Sequence, residues 1–533
     1  MKKNFKRLGA LALCAGLVCS MAACGGGGGG GGYVDETFQD NDEFYTIKWY
    51  MPISSMQAPA DLGVVQQKVN EYLRDKINAA VNIVAYNFGE YAGKLNTKVA
   101  NAEEFDLLWT DFESIARYNE MEALYPLDSL LPTYAPNAWE KFPTEFWDQV
   151  RNPEDGKIYS VINNQILPRS FGMEVRDNDY YKEYLLASAN TVLGKTTTDP
   201  YEVQDKVADT YTLAGKLDFM ENYLAWLRVN KNGENESCGG ITWGMELLYV
   251  MESLGFDSLG MSMAVPGVVR ADATGKPVVV NQFETEEFKT LINKLAEWYN
   301  EGYIPANVAS GSYSQTSTDL GSSRTWTPNY VTAFTQGGKK RYREVMRFGD
   351  PNYIASYISG TMWSVSATSA NPARTLKFID LLHTDSYLHN LLKLGIEGTH
   401  YTVDDNGQAH QENKSSRYNL ESVRWIFGDE TIGMTLDTQA KDVYEQVKKI
   451  NDETPLSQTI GFVFNRFAND DIVTNIQLSS QVVTKYISNL GCGEQLTKDT
   501  DYYNKFIAEL KQNGCDELIE EKQRQLDAWL ASK

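Results

Sequence analysis

Between Tyr45 and Thr110 the spacing of apolar residues changes period four times, and that alternation limits the folds open to the chain. Tyr45-Thr46-Ile47-Lys48-Trp49-Tyr50-Met51 reads as a strand stopped by Pro52, and Leu62, Val65, Val69, Tyr72, Leu73 and Ile77 recur at helical spacing. Val81 to Tyr86 is a second strand, a short helix follows from about Tyr91 to Ala100, and Phe105 to Thr110 is a continuous apolar run suited to a buried parallel strand. Strands alternating with helices predict α/β layers rather than a bundle or a sandwich. Ligands of such doubly wound sheets sit beyond the carboxyl ends of the strands, which points at Tyr50 to Ser54 and at Thr110, Asp111 and Phe112. At 533 residues the chain exceeds one compact core, so two or three domains are expected.

Further along, Thr285 caps a predicted helix with Glu286 and Glu287 in its first turn and a stripe of Phe288, Leu291, Ile292, Leu295, Trp298 and Tyr299, stopped by Gly302 and Pro305. Gly360 to Val365 reads as a strand, Asn371 caps a helix with Pro372 at its first position, and Asp385 caps the next, which ends at Gly395. The Ser/Thr/Gly-rich stretch from about Gly311 to Tyr330, holding Arg324 and Trp326, predicts a long loop. The last 70 or so residues predict a strand at Gly461-Phe462-Val463-Phe464 and two or three amphipathic helices ending near Leu526 and Trp529.

The N-terminus carries an export signal: Lys2, Lys3, Lys6 and Arg7 precede Leu8 to Met21, an apolar stretch too short to span a bilayer. Small residues ahead of a cysteine in Ser20-Met21-Ala22-Ala23-Cys24 resemble the lipobox of bacterial lipoproteins, in which that cysteine becomes the lipidated first residue. Loss of the four basic residues leaves 45 against 71 acidic ones, so the net charge passes from −22 to −26. A chain this acidic does not suit nucleic acid or an anionic membrane surface, and the anchor has to be acyl chains. Gly25 to Gly32 and the polar segment to Glu43 read as a tether with a root-mean-square reach of roughly 24 Å.

Of the six cysteines, Cys14 and Cys19 leave with the signal and Cys24 takes lipid. Cys238, Cys492 and Cys515 remain, as buried free thiols or with a Cys492–Cys515 disulfide. His383, His389, His400 and His410 have no zinc spacing, and neither GxSxG nor a Walker-type loop occurs, so no metal or cofactor is expected.

Four stretches together resemble the extracellular solute-binding lipoproteins of ABC sugar importers, in particular the large LplA-type branch of Gram-positive bacteria. They are Ala22-Ala23-Cys24; Glu284 to Pro305; Asn371-Pro372-Ala373-Arg374 through His383-Thr384-Asp385; and Gly395-Ile396-Glu397-Gly398-Thr399-His400-Tyr401. The segment from Phe462 to Trp529 resembles a C-terminal domain of uncharacterised function common to that branch. The resemblance implies a two-lobed, hinged, periplasmic-binding-protein-like α/β fold of type II, with a ligand cleft between the lobes and an extra C-terminal helical segment. It divides the chain into a signal peptide (1–23), the lipidated Cys24 and tether (24–43), lobe 1 (44–158 plus 353–395), lobe 2 (159–352 plus 396–461) and the C-terminal segment (462–533), with Lys157 to Val161 as a crossing strand. It also implies a monomer, not an enzyme, that captures a saccharide and hands it to the transmembrane subunits of a permease at the outer face of the cytoplasmic membrane.

Aromatic residues make up 12% of the chain, with 31 Tyr and 11 Trp, a composition suited to stacking on the C–H faces of sugars while polar groups meet the hydroxyls. The candidates for such a cleft are Trp49, Tyr50, Trp109, Asp111, Trp243, Trp326, Trp363, Arg374 and Glu397. Each has a plainer reading: core packing for Trp49, Trp109 and Trp363, an N-cap for Asp111, an ion pair for Arg374 and a turn for Glu397. Trp243 and Trp326, on expected loops, are the stronger choices. The rival functions are a secreted glycan hydrolase using two carboxylates, and a surface adhesin.

Overall fold

The computed structural model describes residues 38–175, 178–230, 247–306, 308, 320–326, 332–336, 339–411 and 417–533. The signal, Cys24 and most of the tether lie outside the described residues, as do Cys238 and Trp243. The strands are β1 (Tyr45–Ile53), β2 (Ala79–Asn87), β3 (Leu107–Thr110), β4 (Ser160–Ile162), β5 (Ser170–Val175), β6 (Val268–Ala271), β7 (Pro277–Val280), β8 (Leu320–Trp326), β9 (Thr332–Gln336), β10 (Lys339–Arg347), β11 (Met362–Val365), β12 (Thr402–Val403) and β13 (Ala409–His410).

One sheet has the order β2-β1-β3-β11-β4, with β1 parallel to both β2 and β3, and β11 antiparallel to β3 and β4. The helices Leu62–Ile77 and Phe88–Ala100 make the two parallel connections, as the change of period predicts. The β1–β3 ladder stops after Trp49↔Leu107 and Tyr50↔Leu108. Beyond it β1 pairs only with β2, so Pro52, which has no N–H to donate, sits inside the strand rather than ending it. The hydroxyl oxygen of Tyr91 accepts from the Trp109 N–H at 2.7 Å and donates to the carbonyl of Trp109 (3.1 Å) or Tyr50 (3.3 Å). A phenol thus satisfies backbone groups where the ladder opens.

The core of this lobe centres on Trp49 and Trp363, whose rings meet edge to face at 5.2 Å, with Phe378 and Phe427 around them. Phe378 comes from the helix Pro372–Thr384, capped as expected by Asn371, whose side chain accepts from the Arg374 N–H. A second core gathers the helices Asn178–Leu193, Leu213–Asn230 and Glu286–Asn300 on an antiparallel sheet of order β8-β5-β10-β9. Trp298 is buried there. The helices Asp470–Gly491, Glu494–Lys498, Tyr502–Gln512 and Cys515–Ser532 close the chain against this second lobe.

Several expectations give way. β4 pairs with β11 at the edge of the first sheet, so residues 157–162 belong to lobe 1 and the chain crosses afterwards, over Asn163 to Arg169. Tyr418, Leu420, Val423, Ile426 and Phe427, assigned by sequence to lobe 2, are buried in the first core because Trp363 Nε1 donates to the Ile426 carbonyl at 2.5 Å and draws that segment in. Residues 320–326 are strand, not loop: β8 pairs antiparallel with β5. Gly461 to Phe464 belongs to no strand. No disulfide joins Cys492 and Cys515, and both are buried.

Candidate functional site

Where the two lobes meet, a cavity of about 300 Å³ is lined by Gln165, Ile166 and Arg169 from the first crossing, Gly360 and Thr361 from the return, Arg424, Trp425 and Glu430, and Val443, Tyr444 and Val447 of the helix Val443–Glu453. Its size suits an oligosaccharide fragment. Gly360 is required at the return: a Cβ there would lie 2.7 Å from the Ser356 carbonyl oxygen.

Trp109 reaches the cavity through Thr361, whose Oγ1 accepts from Trp109 Nε1 at 2.7 Å and from Asn163 Nδ2 at 3.2 Å. Its ring is edge-on to those of Phe88 (5.8 Å), Tyr91 (5.9 Å) and Trp425 (6.1 Å), while Phe88 and Trp425 stack at 5.7 Å with planes 19° apart. Phe88 follows directly on β2, and its partial exposure leaves aromatic surface at the sheet's edge for a ligand. On the other lobe the Arg169 guanidinium lies 4.9 Å over the Tyr357 ring, next to Phe171, which stacks on the exposed Tyr249 at 5.2 Å.

The charges are internally matched. Arg424 pairs with Glu430 at 3.1 Å and Glu421 at 3.4 Å, and burial raises the Glu430 carboxyl above its usual range. Burial brings the Lys393 ammonium down to about 8; it donates to the Met434 carbonyl and stands 5.6 Å over the Tyr444 ring. Behind Arg169, Glu252 accepts from the Tyr357 hydroxyl at 2.8 Å and is pushed up to about 8 by burial. Among the described residues no group of three or more His, Cys, Asp or Glu is placed to hold a metal ion.

The predicted residues divide. Trp109 adjoins the cavity. Trp49 and Trp363 are wholly buried core, because both point under the helix Pro372–Thr384. Tyr50 is buried, stacked on Tyr86 and edge-on to Phe105. Asp111 is a helix cap: its Oδ1 accepts from the Ser114 N–H at 2.8 Å and the Ser114 hydroxyl at 2.7 Å. Arg374 holds the end of the tether, making two 2.9 Å bonds to the Asp40 carboxylate and one of 2.8 Å to the Asn78 carbonyl. Burial of Asp40 opposes its ionisation, yet hydrogen bonds from Arg374, Lys377 and Asn371 keep its carboxyl well below the usual range. Glu397 is exposed in a turn that the buried His400 pins to lobe 1, accepting from the Ile396 N–H and facing Asp61 at 3.3 Å. Trp326 ends β8 opposite Ser170; its side chain lies outside the described residues.

Sequence reading missed Phe88, Trp425, Arg169 and Tyr444. Phe88 was readable, since it stands two residues past the predicted strand Val81 to Tyr86. The others sit on irregular segments or on a helix whose amphipathic pattern says nothing of a ligand.

Comparison with known proteins bears on the fold. Residues 458–531 match a domain of unknown function, DUF3502. Over the full length of both chains the sequence is 22% identical to a protein of Streptococcus pneumoniae named carbohydrate ABC transporter substrate-binding protein. Among solved structures, the N-glycan transport solute binding protein of S. pneumoniae in complex with Man1GlcNAc superposes with a TM-score of 0.67 at 18% identity, covering 91% of this chain and 100% of that one. The S. pneumoniae substrate binding protein FusA in complex with kestose gives 0.54 at 14%, covering 92% and 100%. An extracellular solute-binding protein of Bifidobacterium longum subsp. infantis gives 0.56 at 13%, covering 92% and 99%. The fold is therefore the two-lobed fold of ABC-transporter solute-binding proteins.

Proposed function

We propose that this chain is the extracellular substrate-binding protein of an ABC importer, that it captures an uncharged oligosaccharide in the cavity between Trp425 and Tyr444, and that it passes the sugar to a membrane permease. The observation that carries the reading is the pairing of aromatic surface with charge-compensated polar groups: Phe88, Trp109 and Trp425 on one side, Gln165, Arg169 and the Arg424–Glu430 pair around them. Aromatic faces meet sugar C–H surfaces while amide and guanidinium N–H groups donate to hydroxyls. Arg424 and Lys393 have carboxylate neighbours in Glu421 and Glu430, which offset their charge.

In this reading a micromolar sugar supplies about −8.2 kcal/mol, and the part that differs between open and closed lobes drives closure. The protein works as a monomer, held by acyl chains on Cys24 at the outer face of the cytoplasmic membrane, with lobe boundaries near the crossings at 163–169 and 349–361. A hydrolase would need two carboxyls flanking a glycosidic bond, and Glu430, already tied to Arg424, is the only carboxyl among the residues lining the cavity.

The test is a panel of neutral oligosaccharides followed by melting temperature, calorimetry and product analysis on the same samples. At least one sugar should raise Tm without being cleaved. Cleavage, or the absence of a shift across linear and branched neutral glycans, would refute the reading. In a Gram-positive host the wild type should fractionate with membranes and Cys24→Ala should not; equal partitioning would remove the anchor.

A further inference from the structure

The C-terminal segment meets the two lobes by different chemistry. Against lobe 2 it is welded: Phe462, Phe464, Leu518 and Leu526 pack with Leu259 and Val269, and Val483 and Phe506 enter the lobe's main core. Gly493, with φ +71°, lets the chain come so close to the helix Glu286–Asn300 that a Cβ would lie 2.3 Å from the Leu295 carbonyl oxygen. Lys522, wholly buried, donates to the carbonyls of Pro266 (2.9 Å) and Gly267 (2.6 Å).

Against lobe 1, past Ile460, the segment is held by a few hydrogen bonds. Gln149 donates to the Phe462 carbonyl at 3.0 Å and accepts from the Gly461 N–H at 2.9 Å. Arg466 spans the lobes, one guanidinium nitrogen donating to the carbonyl of Phe112 in lobe 1 (3.2 Å) and of Gly260 in lobe 2 (2.9 Å). Around these bonds lies a small cavity of about 60 Å³, with Ile115, Val150 and Met362 of lobe 1 facing Val463, Phe464 and Phe467 of the segment. An interface that keeps such a space is not close-packed at this point.

We propose that the C-terminal segment is a rigid extension of lobe 2 that latches lobe 1 through Arg466 and Gln149 and so sets the balance between lobe arrangements. This gives a task to the segment matching the domain of unknown function, independently of what the cleft binds. The weld is made of buried apolar side chains and the lobe 1 side of a few hydrogen bonds of modest net worth, so movement between the lobes breaks the polar side and leaves the weld intact. A charge-assisted bond of this kind is worth roughly a tenfold shift in a two-state population.

Small-angle X-ray scattering of the sugar-free protein reads the balance directly. Arg466→Ala should raise the radius of gyration and broaden the distribution of interatomic distances, with Arg466→Lys in between and the circular dichroism spectrum unchanged. A folded Arg466→Ala protein whose scattering superposes on that of the wild type would overturn the latch. Should Arg466→Ala fail to fold, Gln149→Ala carries the test: a broadened distribution supports the proposal and an unchanged one refutes it. Because no sugar is present, failure here is separable from failure of the saccharide reading.

Discussion

Trp109 and Trp363 are register partners across β3 and β11, yet one ends at a cavity and the other at the centre of a core. Trp363 lies beneath the helix Pro372–Thr384 with Trp49 and Phe378, and its N–H is spent on the Ile426 carbonyl. Trp109 stands where the β1–β3 ladder has stopped and the Tyr91 hydroxyl takes the backbone groups, so its ring turns to Phe88 and Tyr91 of the helix Phe88–Ala100 and to Trp425, not to the helix Pro372–Thr384. Side-chain identity and strand position do not separate the two. What separates them is the layer above each.

The sharpest way to break the comparison is Trp363→Ala. It should cost about 3–5 kcal/mol in the unfolding of lobe 1, read by chemical denaturation, because the ring is wholly buried and its neighbours cannot collapse into the space. A loss below about 1 kcal/mol would mean that the core is not organised around that ring.

Trp425→Ala should do the converse. Affinity for the bound oligosaccharide should fall about tenfold or more by calorimetry, since a stacking face is lost, while Tm without sugar moves little. Equal loss of stability in both variants would erase the distinction between the two environments.

The smallest effect tests the floor of the second lobe's aromatic group. Glu252 titrates near 8 in the fold against about 4.5 in the unfolded chain, so its contribution to stability is complete below about pH 4.5 and is lost as pH rises through 8. Glu252→Gln keeps an acceptor for the Tyr357 hydroxyl without that loss. Its Tm relative to wild type should therefore climb between pH 5 and 8, and a flat difference would show that burial does not hold the proton there.

Much of the first lobe was legible because its signals are local. The change of period between Tyr45 and Thr110 predicted β1 to β3 and their helices, and Asn371-Pro372, Thr285 and Asp385 announced helix starts that the side-chain caps now display. Lobe 2 was less so: β8 lies in a Ser/Thr/Gly-rich stretch whose composition reads as loop, and only its pairing with β5 makes it a strand. Of the proposed ligand residues, Trp109 alone is placed beside the cavity. The rule locating ligands at strand ends could not tell which strand-end aromatics a helix would cover. Nor could it reach Trp425, which is brought to Phe88 from more than 300 residues away by long-range packing.

Asn451 ties these distant parts together. Its side chain accepts from the Leu167 N–H and donates to the Gln165 carbonyl, while its own carbonyl accepts from the Tyr353 hydroxyl. One residue therefore pins both strands of the passage between the lobes, and it stands two helical turns beyond Tyr444 at the cavity wall. While that bolt holds, the two strands behave as one axle, and a force applied at the wall arrives at the pivot through a single rigid rod.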